Sequence, residues 1–243
     1  YYDVLRPYGA WAVISPFNFP MALAAGPSSA ALVAGNSVVF KPAHMGVFTG
    51  LKLYEIYMAA GVPKGVFHFL SGPGSVVGDE IVNHPDVAGI TFTGSYEVGM
   101  GIYKGFAKDF PKPVICEMGG KNPTIVTDKA DLDKATDGVL RSAFGFGGQK
   151  CSANSRVYVH RSVYDEFVRR LKDKAENVKI GDPLDRDVYL GPVIDEGAVA
   201  TFEDASNEAK KNGNVITGGE RLTEGAFSKG TFVQPTVAEV PLD

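Results

Sequence analysis

Cysteine is scarce: Cys116 and Cys151 are the two in 243 residues, no Cys-x-x-Cys pair exists, and there are four histidines. This excludes a disulfide framework and argues against a zinc site, so no metal is expected and a reducing compartment is. Long apolar runs are missing too. The richest stretch, 13–39, is interrupted by Pro16, Asn18, Pro20, Pro27 and Asn36, so no membrane-crossing helix is expected. Blocks of like charge are absent. The net charge is −4, and Lys and Arg sit beside acids, as in Lys108-Asp109 and Lys172-Asp173-Lys174. Binding of nucleic acid through a basic face is therefore not expected. No internal repeat or low-complexity tract stands out. The chain starts at Tyr1 in sequence that reads as mid-domain and ends at Asp243 after a strand-like stretch. It is expected to be an internal piece of a longer chain, in which a targeting segment could lie elsewhere.

The hydrophobic content of 44% suffices for one large core or two smaller ones. Strand-like segments at 10–15, 37–40, 66–70, 89–92 and 113–117 alternate with helix-like segments at 20–34, 46–60, 75–83 and 96–108. That alternation predicts an α/β fold with an open, mostly parallel sheet covered on both faces. Beyond Pro123 the composition shifts. Strands are expected at 124–126, 156–160, 214–216 and 231–240, and helices at 131–144, 162–178 and 195–212. A boundary near 122–128 divides the chain into domains 1–123 and 124–243.

Three segments carry residues suited to chemistry on a carbonyl. Cys151 follows Gly145-Phe146-Gly147-Gly148-Gln149-Lys150 and precedes Ser152-Ala153. A lone cysteine is more often a buried apolar group, but Gly-Gly and Gln-Lys are poor core neighbours. Cys116, within Val114-Ile115-Cys116, has strand surroundings and reads as structural. Glu117 ends that strand ahead of Gly119-Gly120. A carboxylate there faces the crevice where open α/β sheets bind ligands, although for a lone Glu a solvated strand end is the favoured reading. Asn18, in Ser15-Pro16-Phe17-Asn18-Phe19-Pro20, could be a simple cap before a first-turn proline. A thiol, a base and an amide donor are the parts that thioester chemistry requires.

Two glycine motifs compete for a phosphate-bearing ligand. Gly72-Pro73-Gly74-Ser75-Val76-Val77-Gly78 follows a strand and opens a helix, but its last gap is one residue longer than the dinucleotide fingerprint. Phe92-Thr93-Gly94-Ser95-Tyr96-Glu97-Val98-Gly99 also sits at a strand-to-helix turn, where N–H groups and a positive helix end suit phosphate. Either could be an ordinary tight turn. Lys41 ends the strand before Pro42-Ala43-His44, where a lone lysine is usually a solvated strand-end residue.

Together these motifs resemble the aldehyde dehydrogenase superfamily, along almost the whole chain. The resemblance implies a Rossmann-like NAD(P)-binding domain followed by part of an α/β catalytic domain. It implies Cys151 as nucleophile, Asn18 and the Cys151 amide as oxyanion donors, and Glu117 as the base that activates the deacylating water. The implied cofactor contacts are Ile14, Pro16, Phe17, Lys41, His44, Gly74, Gly78, Phe92, Gly94, Ser95, Gly99 and Glu117. Lys41 would bond the adenosine ribose and Ser95 the pyrophosphate. His44 stands where the family has a ribose-binding Glu. NAD is therefore expected, with NADP possible. The run Phe144-Gly145-Phe146-x-Gly148-Gln149-Lys150-Cys151-Ser152-Ala153 is most similar to the 1-pyrroline-5-carboxylate (glutamate semialdehyde) dehydrogenase branch, which carries Gln in place of Gly147. Ser152 would help hold the substrate carboxylate. The implied reaction is oxidation of L-glutamate 5-semialdehyde to glutamate in proline catabolism, through a thioester. The resemblance also implies a homo-oligomer in the cytoplasm, or in the mitochondrial matrix of a eukaryote. Another aldehyde substrate, or a non-catalytic binding protein on the same fold, are the alternatives. Residues 1–243 alone are expected to show little turnover, and robust cofactor reduction by that purified piece would refute this.

Overall fold

The apolar alternation of the first half becomes a five-stranded parallel sheet. The computed structural model describes every residue from Tyr1 to Pro241 except Asp3. It divides into two compact units, Tyr1–Gly119 and Gly120–Asp243. In the first unit, β1 (Ala10–Ser15), β2 (Ser37–Pro42), β3 (Phe67–Phe69), β4 (Val87–Gly94) and β5 (Val114–Met118) lie in the order β3-β2-β1-β4-β5. Every pairing is parallel.

Parallel neighbours need crossover connections, which here run through α1 (Ala22–Val33), α2 (Val47–Ala59), α3 (Asp79–Asn83) and α4 (Tyr96–Gly105). Side chains alternate between the faces of each strand. Val13, Val38, Phe40 and Phe67 form one core with Ala24 and Ala31 of α1 and Leu53 of α2. Ala12, Ile90 and Phe92 form the other with Ile81 of α3 and Ile102 of α4. The sheet is therefore wound on both faces, as its sequence pattern predicts. Aromatic rings fill the first core, with Phe67 centroids 5.8 Å from Phe40 and 4.7 Å from Tyr57. Gly89 is required beside Trp11, because an added Cβ would lie 2.3 Å from the indole ring. That close approach lets Trp11 Nε1 donate to Thr91 Oγ1 at 3.0 Å.

In the second unit, β6 (Asn122–Val126) and β7 (Asn154–Val159) pair in parallel. The chain passes between them through α5 (Leu132–Phe144), capped by Asp131, whose carboxylate accepts from the Asp133 and Lys134 amides. These capping bonds, that from Lys134 foremost, hold the Asp131 carboxyl below its usual pKa. Helix α6 (Tyr164–Glu176) packs Phe167 and Leu171 against Val126 and Val139. Helix α7 (Glu196–Asn212) leads into β8 (Asn214–Thr217), β9 (Arg221–Leu222), β10 (Phe232–Val233) and β11 (Val237–Glu239). Strand β8 pairs with β11 and β9 with β10, both antiparallel.

Several expectations change. The strand expected at 231–240 is two strands serving two different partners. Pro235 has no N–H for a continuous ladder, so the chain changes partner across Gln234-Pro235-Thr236. Strand β9 was not anticipated. The helix expected at 75–83 is a wide π-type turn at Gly74–Gly78 followed by the short α3, and α4 stops at Gly105 rather than at 108. The units divide between Gly119 and Gly120, ahead of the 122–128 boundary, because Asn122 is already paired in β6. Among the described residues, no helix is long and apolar enough to cross a membrane.

Phe40 is fully buried at the centre of the aromatic cluster. Phe40→Ala is expected to cost about 3–5 kcal/mol, read as a lower urea unfolding midpoint at unchanged slope.

Candidate active site

Because all five strands of the first unit run the same way, their carboxyl ends share one edge. In the 3-2-1-4-5 order the crossovers diverge at that edge between β1 and β4, which is where open α/β sheets bind ligands. Ile14 is in register with Lys41 on one side and Phe92 on the other. Alternation turns these residues toward the α3/α4 face, since Ile14, Val39 and Phe92 belong to that core. Three of the expected cofactor residues thus form one row across three adjacent strands.

Lys41 is 6% exposed, and its Nζ donates to Pro42 O at 3.3 Å. Burial lowers its pKa from the ordinary lysine value, so acceptor groups arriving from a ligand would stabilise its charge. Gly78 lies beside it, with its Cβ position 3.9 Å from Lys41 Cε. His44 follows on an exposed short turn.

The second glycine motif is the tighter one. Ser95 is the N-cap of α4, its Oγ accepting from Val98 N at 3.4 Å. A Cβ on Gly99 would sit 2.5 Å from Met118 Sδ, and one on Gly94 2.5 Å from the Phe92 ring. These glycines let the start of α4 lie directly against the strand ends. Gly74 instead begins the wide turn, which aims no regular helix of any length at the edge. The row, the buried lysine and the close helix start together fit an extended ligand bearing ribose and phosphate groups.

Pro16, Phe17 and Asn18 form the turn that leaves β1. Asn18 is half-buried, and its Oδ1 accepts from Phe19 N at 3.1 Å. Glu117 sits near the end of β5, opposite Thr93 of β4. It is exposed and one position out of phase with Cys116 and Met118, which join the α3/α4 core. Glu117 therefore leaves the strand on the face opposite the Ile14–Lys41–Phe92 row. Cys116 is the inert thiol that its strand setting predicts. Its Sγ is 3.5 Å from Gly99 O, and burial raises its pKa.

Cys151 belongs to the second unit and is exposed, as is Ser152. The approach to it is left-handed at three successive residues: Phe146 at φ 60°, Gly147 at 65° and Gly148 at 71°. Phe146 is the only non-glycine residue with positive φ among those described, a conformation costing on the order of 1–2 kcal/mol. Such strain concentrates at functional loops. Gly147 adopts its positive φ without the steric cost that a Cβ would bring.

Side-chain amides hold the loop. Gln149 Nε2 donates to Phe146 O at 3.2 Å, while its Oε1 accepts from Ile194 N at 2.9 Å. Asn122 Nδ2 donates to Cys151 O at 2.8 Å and to Ala153 O at 3.2 Å. Sequence reasoning gave neither residue a role. The available signal was a polar residue directly before Pro123, where a strand cannot use a backbone donor. Beside the loop, Phe144, Gly147, Val193, Phe202 and Val233 line a cavity of about 200 Å³. Among the described residues, no group of three His, Cys, Asp or Glu side chains could hold a metal.

Asn18, Glu117 and the Ile14–Lys41–Phe92 row thus lie on the first unit, and Cys151 and Ser152 on the second.

The family model described as the aldehyde dehydrogenase family matches residues 1–243. The chain is 45% identical over 236 residues to 1-pyrroline-5-carboxylate dehydrogenase 1 of Halalkalibacterium halodurans, covering 95% of this chain and 45% of that protein. It is 41% identical, with a TM-score of 0.91, to the 1-pyrroline-5-carboxylate dehydrogenase from Thermus solved with bound NAD, covering 97% of this chain and 46% of that one. An NADP-dependent enzyme of E. coli is 42% identical with a TM-score of 0.90, over 97% and 48% of the two chains. The chain spans about half the length of these relatives.

Gly99→Val is expected to destabilise the first unit by about 1–3 kcal/mol, because the added side chain overlaps Met118 and Phe92. Urea unfolding beside the wild type checks this.

Proposed function

Because the chain belongs to the aldehyde dehydrogenase family, we propose that its parent protein oxidises L-glutamate 5-semialdehyde to glutamate with NAD. The observation that carries the reading is a pairing within one chain. A doubly wound parallel sheet bears the Ile14–Lys41–Phe92 row at the carboxyl edge of its strands, and the second unit carries an exposed thiol just past a strained loop. Relatives named for 1-pyrroline-5-carboxylate, at 45% and 41% identity, support the substrate.

In the proposed mechanism, Cys151 Sγ attacks the aldehyde carbon and the carbonyl oxygen becomes an oxyanion. The Asn18 amide and the Cys151 N–H donate to that oxygen, which is where charge develops in the transition state. A bound dinucleotide would supply the hydride acceptor, and the adduct held on Cys151 would then become a thioester. Glu117 then takes a proton from the attacking water, and the collapsing adduct releases the carboxylic acid and the Cys151 thiolate that began the cycle. Ser152 holds the substrate's distal carboxylate. Lys41 takes the adenosine ribose hydroxyls, with Ile14, Pro16, Phe17, Gly74, Gly78, Phe92 and Glu117 as further contacts. Gly94, Ser95 and Gly99 form the turn at the pyrophosphate. Retention of Glu117 favours hydrolysis of the thioester over transfer to coenzyme A. Cytoplasmic location and assembly as a homo-oligomer belong to the same reading.

NADP is the second reading for the cofactor, and His44 is the residue that favours it. A carboxylate at this point would accept from the ribose hydroxyls and repel a 2′-phosphate. His44 does neither. The similar NADP-dependent enzyme of E. coli is consistent with it.

The test is reduced-cofactor formation by the full-length parent with glutamate semialdehyde, with NAD and NADP separately. Cys151→Ala is expected to lower kcat by at least about 10³-fold, in line with loss of a covalent nucleophile. Activity only on a different aldehyde would keep the chemistry and discard this substrate. Silence across an aldehyde panel would favour a non-catalytic binding protein.

A further inference from the structure

We infer that Asn122 is a positioning residue for the nucleophile: its side-chain amide fixes the backbone from which Cys151 presents its thiol. The inference rests on the reading of Cys151 as the nucleophile. Both hydrogens of one NH2 group are used, one on Cys151 O at 2.8 Å and one on Ala153 O at 3.2 Å. The orientation of the amide is thereby defined, since an oxygen in that place would face two carbonyl oxygens.

The segment needs such a hold. Lys150 to Ala153 is a turn closed by Ala153 N donating to Lys150 O at 3.0 Å, with Cys151 and Ser152 at its centre. Just upstream lies the left-handed run Phe146–Gly148, which would relax if its surroundings did not determine it. Gln149 secures the upstream side through Phe146 O and Ile194 N. Only the Asn122 amide binds the carbonyl of Cys151 itself, among the hydrogen bonds of the described residues. A bond to that carbonyl sets ψ of Cys151, and with it the frame in which the Cα–Cβ bond points.

Asn122 is in turn fixed by a second side-chain amide. Asn154, 7% exposed, donates from Nδ2 to Asn122 O at 3.0 Å and to Arg156 O at 2.8 Å. The exchange falls where the β6–β7 register shifts, between Asn122 and Pro123. Pro123 has no N–H, so a side-chain amide does there what a backbone donor would do elsewhere. The clamp thus ties the thiol's turn to the first residue of β6.

The test uses the full-length protein with Asn122→Asp, Asn122→Ala and Asn122→Ser. Asn122→Asp keeps the shape and turns a donor toward two oxygens into an acceptor. Three quantities are read: kcat and KM, the rate of Cys151 alkylation by iodoacetamide, and the thermal unfolding midpoint. For Asn122→Asp, kcat is expected to fall at least about tenfold and the alkylation rate to change at least about threefold. KM for the dinucleotide should stay within about twofold of wild type, and the unfolding midpoint should move little. Asn122→Ser, which keeps one donor, should recover part of the kcat that Asn122→Ala loses. The inference is overturned if Asn122→Asp alkylates and turns over like wild type, or if its loss of kcat only tracks loss of folded protein. If the wild type oxidises no aldehyde, the proposed function fails, and the alkylation rates alone then decide the role of Asn122.

Discussion

Two parallel strands cannot be joined by a tight hairpin, so every connection in the first unit has to return across a face of the sheet. Each strand therefore delivers its carboxyl end, and the turn that follows it, to the same edge. Lys41, the Gly94-Ser95 turn, the Pro16–Asn18 turn and Glu117 come from segments far apart in sequence. They share that edge because the sheet is parallel and its order reverses beside β1. The same geometry separates roles by face. Side-chain alternation sends Ile14, Lys41 and Phe92 toward α3 and α4, and sends Glu117 the other way.

The second unit solves a different problem, that of holding a thiol exposed without leaving its loop loose. Burial is not available as the means, because Cys151 is open to solvent. The hold comes from amide side chains of Gln149, Asn122 and Asn154, each spanning two backbone groups. Glycine at 147 and 148 removes the steric penalty of two of the three left-handed residues, leaving Phe146 as the remaining strained position. The two thiols of the chain illustrate the contrast. Cys116 lies among core side chains, where burial disfavours its thiolate, whereas Cys151 stands on a tethered turn.

Two positions depart from the pattern that the sequence resembles. His44, just past the end of β2, stands where that pattern has a carboxylate, and under the proposed function it bears on cofactor choice. Gly147 stands where the pattern has Gln, at a φ where glycine is unstrained.

The order of elements was legible in the sequence because apolar periodicity, Gly stops and Pro breaks are local signals. The strands expected at 10–15, 37–40 and 89–92, and the helices expected at 20–34 and 46–60, needed nothing more. Where pairing depends on distant residues the reading failed. The stretch 231–240 looked like one strand, but its halves pair with β9 and β8. The candidate site divides in the same way. Cys151, Glu117, Asn18 and Lys41 were nominated by motifs that resemble a known family, since each residue taken alone read as readily as a buried, solvated or capping group. The row formed by Ile14, Lys41 and Phe92, the opposite face taken by Glu117, and the Asn122 clamp on Cys151 were decided only by tertiary structure. Strand register and hydrogen bonds between segments some thirty residues apart have no local signature, because they exist only once the chain has brought those segments together.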